Sequence, residues 1–261
     1  MAIVEHRVAH GVMTITLNDV DRRNVISHDL LSQLIHLIDV VDHDPAIRVV
    51  VLTNNGTTFC AGANLAEFAA PSGATGPVPI ELSELFLRIR QSPKPWVGAI
   101  RGHCLGGGVG LAAVLDISIS LDTAKFGFSE VRLGVAPAII SVVVLEKIRL
   151  GDAREHFLRG DRFRAERAVQ MGLINRSANI DEFDGVVIDV VNDLLAGAPG
   201  ALALTKQLTM VVPTMPIDEA FAWTARVSTE RFASEEAREG MVAFFEKRPA
   251  HWVRTLPDSE D

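Results

Sequence analysis

Apolar and polar residues alternate with a period of two at the start of the chain. Ile3 to Val8 and Val12 to Leu17 flank His10 and Gly11, a pattern that predicts two strands joined by a tight turn. Asn18 to Asn24 is a polar break. Beyond it Leu30, Leu31, Leu34, Ile35 and Ile38 recur at helical spacing behind Ser27, a plausible N-cap, and Asp44–Pro45 ends the helix. Three short apolar runs follow: Val49 to Thr53, Trp96 to Ile100 after Pro93 and Pro95, and Ile117 to Leu121 after a helix-like run from Val109 to Leu115. Short unbroken runs of this kind suit strands buried on both faces, and their alternation with helical stretches predicts an α/β core. Residues 69 to 79 are small, proline-rich and unpatterned, which suits a binding loop or a tolerated surface insertion. After residue 195 the pattern is helical, with Pro199, Pro213 and Pro216 separating amphipathic segments whose apolar faces need a partner surface.

Composition narrows the setting. The 261 residues are 48% hydrophobic and 22% charged, enough to bury a large core without disulfides or metal. Cys60 and Cys104 form no CxxC pair and read as small apolar residues in a reducing, cytoplasmic setting. A net charge of −8 without a Lys/Arg cluster argues against nucleic acid, and neither a leader pattern nor a membrane-length apolar run is expected.

Chemistry has three candidate locations. Phe59 to Asn64 and Leu105 to Gly110 are glycine-containing turns, each following a buried strand, where backbone can approach a ligand closely. The second opens a helix, so the amide of Gly107 is placed to donate to a developing oxyanion, with Ala63 as a possible second donor. Close helix–strand packing would explain the same glycines. The third is Phe126 to Gly134, where Glu130 in an apolar setting would carry a raised pKa and exchange protons near neutrality. An exposed glutamate paired with Arg132 is the alternative. His103 reads either as an acid or base or as a packed histidine. A dinucleotide fingerprint fails because Leu111 stands where its third glycine belongs; no P-loop, GxSxG or HExxH is present, and no metal site is expected.

Taken together, Thr14 to Asn18 with Arg23–Asn24, Phe59 to Leu65, Gly102 to Asp116, Phe126 to Pro137 and Gly240 to Pro249 resemble the crotonase, or enoyl-CoA hydratase/isomerase, superfamily along nearly the whole chain. The resemblance implies a spiral of ββα units (residues 1–195) with a helical C-terminal trimerisation region (196–261), assembled as a homotrimer or homohexamer. It implies oxyanion amides at Ala63 and Gly107, and Glu130 as the acid/base. Coenzyme A, part of the substrate rather than a cofactor, would lie beside Arg22, Arg23 and Ala61, with Lys247 of a neighbouring subunit at its phosphates. The family's first glutamate is replaced by Gly110, which disfavours two-carboxylate hydration. The segment Ser129 to Ser141 resembles the branch of methylglutaconyl-CoA and isohexenylglutaconyl-CoA hydratases, whose members also lack that glutamate.

The expectation is hydration of a 2-enoyl-CoA, a branched one such as methylglutaconyl-CoA, with Arg132 or Arg88 as conceivable partners for an acyl carboxylate. Competing readings are a Δ3,Δ2-enoyl-CoA isomerase, thioester hydrolysis or carbon–carbon cleavage on the same fold, and a non-catalytic acyl-CoA-binding subunit.

Overall fold

The computed structural model describes residues 2–64 and 78–257. Strands β1 (Val4–Ala9) and β2 (Val12–Leu17) pair antiparallel across His10–Gly11. Both turn residues have positive φ, 50° and 85°, as a two-residue primed hairpin turn requires. Helix α1 (His28–His43) starts where the Ser27 hydroxyl accepts the Leu30 N–H at 3.3 Å, and it buries Leu30, Leu31, Leu34 and Ile38.

Three units of strand, short strand and helix then succeed one another. The first is β3 (Val49–Asn54), β4 (Thr58–Cys60) and α2 (Val78–Gln91); the second is β5 (Trp96–Ile100), β6 (His103–Leu105) and α3 (Gly107–Val114). The third is β7 (Ile117–Leu121), β8 (Lys125–Gly127) and, after a 3-10 turn at Glu130–Leu133, α4 (Ala138–Val144). The loop expected at 69–79 lies outside the described residues as far as 77, and its last two positions already belong to α2.

In every unit the longer strand joins one sheet and the shorter strand joins another, which is what turns the chain into a spiral. The chain continues through α5 (Leu150–Arg159), β9 (Arg162–Arg164), α6 (Ala165–Met171), β10 (Arg176–Ala178) and α7 (Phe183–Ala196). The larger sheet runs β1-β2-β3-β5-β7-β10, parallel from β2 onward, and the smaller runs β4-β6-β8-β9. One face of the larger sheet packs on the main core. The other, through Val49, Val51, Val97 and Ile119, packs on Phe183, Val187 and Val191 of α7. Burial on both faces explains why β3 and β5 read as unbroken apolar runs; β7 instead alternates with Ser118 and Ser120, which are buried as well, the Ser118 hydroxyl donating to Ala112 O at 2.7 Å.

Beyond α7, helices α8 (Pro199–Val211), α9 (Ile217–Phe232) and α10 (Glu235–Glu246) bury only Ala220 and Ala243 fully. Phe221, Phe232, Phe244 and Phe245 are each at least 70% exposed. No single helix among the described residues is long and apolar enough to cross a membrane.

Candidate active site

The smaller sheet positions the two glycine turns. Strands β4 and β6 are parallel neighbours with Cys60 opposite Cys104, so the turns that follow them leave the same edge side by side. Both thiols are fully buried, and burial pushes that of Cys60 up to about 12, which makes them packing residues. Gly62 adopts φ 88°, and a side chain there would sit 2.8 Å from the Leu105 carbonyl oxygen and 3.3 Å from the Gly107 nitrogen. The two turns are therefore in backbone contact.

Ile26 fixes the first turn by a parallel bridge: its N–H donates to Gly62 O (2.8 Å) and its carbonyl accepts from Asn64 N (3.0 Å). Backbone groups alternate in direction along an extended segment, so the intervening Ala63 N–H points away from Ile26. In the second turn Gly106 donates to Gly127 O (2.9 Å), and Gly107 begins α3. A first-turn amide has no acceptor within its own helix. The structure thus brings together two amides, of Ala63 and Gly107, at the positive end of a helix dipole.

Glu130 completes the constellation. The chain leaves β8 through Phe128, which is fully buried and packs edge-on against Phe157 at 4.6 Å, and enters the 3-10 turn that Gly134 closes at φ 76°. A methyl placed on Gly106 would lie 3.2 Å from Glu130 Oε1, so the carboxyl group rests against the second glycine turn. Its Oε2 is buried with no hydrogen-bond partner. Burial raises the pKa of Glu130, partly countered by the residue's own backbone N–H. Arg132 does not pair with it; its guanidinium donates to Arg159 O (3.3 Å). A half-buried carboxyl group with one unsatisfied oxygen, beside two glycine turns in backbone contact, can move a proton next to a developing oxyanion.

Arg22, Arg23 and Ala61 also meet. Arg23 and Asn24 have positive φ (58° and 50°), and the Arg23 carbonyl accepts from Ala61 N at 3.1 Å. The exposed Arg22 pairs with Asp19 at 2.9 Å. Asn24 latches this turn: fully buried, it accepts from Asp19 N (2.7 Å) and donates to Thr58 O (2.8 Å).

A family model for enoyl-CoA hydratase/isomerase matches residues 7–255. This chain belongs to the enoyl-CoA hydratase/isomerase family. An enoyl-CoA hydratase homologue of Thermus thermophilus is 34% identical over 242 residues, 91% of this chain and 96% of its own. The short-chain-enoyl-CoA hydratase of Clostridium acetobutylicum is 29% identical over 91% of this chain and 92% of its own. The crystal structure of enoyl-CoA hydratase from Mycobacterium smegmatis superposes with a TM-score of 0.90 at 27% identity, covering 96% of this chain and 98% of that one. The spiral of ββα units is thus the crotonase fold, and the chain is an enzyme of the hydratase/isomerase family.

Within that family frame, the position where many members carry a first glutamate is closed. A side chain at Gly110 would begin 2.5 Å from Ile140 Cγ2 and 2.9 Å from Phe86 Cζ. Sequence reading found the glycine but not its neighbours, because Phe86 and Ile140 come from α2 and α4. Arg88, one conceivable carboxylate partner, is occupied by Asp39 across α1, and His103 accepts Lys125 N–H at 3.1 Å as a packed histidine. Lys247 ends α10 in a left-handed conformation and, among the described residues, makes no hydrogen bond or ion pair to Arg22, Arg23 or Ala61 of the same chain. The Asn24 latch was hidden in a polar break; its one signal is that asparagine tolerates positive φ.

Proposed function

We propose that the enzyme hydrates a 2-enoyl-CoA thioester with Glu130 as its acid/base. The observation that carries this is the half-buried Glu130 carboxyl group, its Oε2 buried and unpartnered, against the turn that presents the Gly107 amide. Glu130 takes a proton from water as the water oxygen bonds to C3. The electron pair of the double bond moves onto the thioester, whose oxygen accepts from the Ala63 and Gly107 amides. The proton held by Glu130 then passes to C2 on the same face, restoring the carbonyl. One positioned base of this kind is worth ~10²- to 10⁴-fold in rate, and each oxyanion donor about 3 kcal/mol.

The substrate class follows from the resemblance of Ser129 to Ser141 to hydratases of branched enoyl thioesters, methylglutaconyl-CoA among them. Arg22, Arg23 and Ala61 are proposed to line the coenzyme A path. The exposed phenylalanines of α9 and α10 support a trimer or hexamer in which Lys247 meets the neighbouring subunit's ligand. Sedimentation of the purified protein tests the assembly.

Gly110 favours a second reading. With its space filled by Ile140 and Phe86, Gly110 supplies no second carboxylate beside Glu130 among the described residues, and isomerisation of a 3-enoyl thioester needs only one acid/base. Mass spectrometry after incubation with crotonyl-CoA, 3-methylglutaconyl-CoA and a 3-enoyl-CoA, in ordinary and deuterated water, separates the two. Addition of one water to a 2-enoyl substrate, abolished in Glu130→Gln, supports the hydratase. Bond migration with α-deuteration and no added water makes Glu130 the shuttle of an isomerase.

A further inference from the structure

The far end of α3 holds a second chemical environment. A cavity of about 490 Å³, partly open to solvent, lies there between α4 and the segment after α8. Its lining includes Arg90, Asp116, Glu146, Lys147, Thr209 and Thr214. The acids in it are already engaged: Asp116 with Lys206 at 2.9 Å and Glu146 with Arg90. Lys147 makes no ion pair among the described residues, and its Nζ donates to the Leu115 carbonyl at 2.7 Å, capping α3.

The other buried lysines are more tightly held. Lys206, with a side chain 9% exposed, donates to Ile89 O, Lys94 O and Asp116, and Lys94 is gripped by the carbonyls of Val41 and Asp44. Lys206 is held by three acceptors and Lys94 by two. Lys147 differs in having a single carbonyl partner and a cavity in front of it.

We propose that Lys147 is an acyl-acceptor site, modified by thioesters that reach this cavity. The neutral Nζ attacks the thioester carbonyl carbon; the N–C bond forms, the C–S bond breaks, and the thiolate leaves with the proton shed by nitrogen. The products are an amide and free coenzyme A thiol, and no oxidant or further reactant is required.

Burial lowers the Lys147 pKa to about 8, against the opposing pull of Asp116 and Glu146. At pH 7.5 roughly a quarter of such amines are neutral, against roughly one in a thousand at the usual lysine value.

The test incubates the intact protein with acetyl-CoA and quantifies acetylation of each lysine by peptide mass spectrometry. Acetyl-CoA has no double bond to hydrate, so the result is independent of the role given to Glu130. The expected rate at Lys147 exceeds that at the exposed Lys125 by about tenfold or more at pH 7.5. Thr214→Trp, which narrows the cavity, is expected to slow Lys147 and leave Lys125 unchanged. A rate at Lys147 no higher than at Lys125 overturns the proposal, as does a fast reaction that Thr214→Trp does not slow.

Discussion

The two walls of the site are built to opposite tolerances. Along the first turn of α3 there is no spare volume: a methyl on Gly107 meets Ile26, one on Gly108 runs into the Cys60 carbonyl, and one on Gly110 meets Ile140. The opposing wall, the 3-10 turn that carries Glu130, contains no fully buried residue, and Gly134 has nothing within 4 Å of an added methyl. Leu133 and Val135 beside it are more than half exposed. The group proposed to hold an oxyanion is thus fixed by backbone packing, whereas the group proposed to move protons sits on a surface turn. Precision is spent where an amide must meet an oxygen within tenths of an ångström, and the proton-handling wall is left free to vary. That division is one physical reason why a single fold can host several thioester chemistries.

The largest test of this contrast is Glu130→Gln, which keeps the shape of the loose wall and removes its base. Turnover is expected to fall ~10²- to 10⁴-fold. Stability should not fall with it. The raised pKa of Glu130 means that stability from its protonated form is present at low pH and lost as pH rises through that pKa. Glutamine never ionises, so thermal melts at pH 7 should place the variant at or above the parent. A large drop in Tm would show Glu130 to be structural instead.

Next comes the tight wall. Gly108→Ala forces the backbone away from Cys60 and should lower kcat by about 10²-fold through misplaced amides. Steady-state kinetics and a melt taken together read it. Gly110→Glu, intended to restore a second carboxylate, is expected to give no gain in rate and to cost about 1–3 kcal/mol by overpacking, or about 2–4 °C of Tm per kcal/mol. Adding Ile140→Ala should recover part of that loss.

A finer measurement is the acid limb of the kcat/KM profile. With burial raising the Glu130 pKa, the limb should lie above 4.5 and vanish in Glu130→Gln. Smallest of all, Leu133→Ala on the loose wall should move stability by no more than about 0.5 kcal/mol.

Much of the framework was legible in the sequence. The His10–Gly11 hairpin, the Ser27 cap and the doubly buried strands each rest on a local pattern with a local cause. Strands β4, β6, β8 and β9 were not legible, since three residues are too few to show a period, and their shared sheet arises from pairing across the units. The same limit applied within the site. Ala63, Gly107 and Glu130 could be read as candidates, but the closure of Gly110 by Phe86 and Ile140 depends on where α2 and α4 pack, which no local pattern encodes.

The burial of Arg48 has a consequence for how the chain acquires this structure. Its guanidinium donates to Gly197 O (2.7 Å) and to Trp252 O (3.0 Å), while Arg254 reaches back to Ala46 O (3.1 Å). Burial lowers the Arg48 pKa, so the charge is held against its preference for water. Until Trp252, 204 positions further along, has been synthesised and has docked, that charge lacks one of its acceptors. A contact of such separation is slow to form. On a ribosome the spiral can therefore wind as it emerges, with the loop before β3 already tied to the first hairpin through Gly11 O, while the Arg48 guanidinium waits for the tail to complete its set of acceptors.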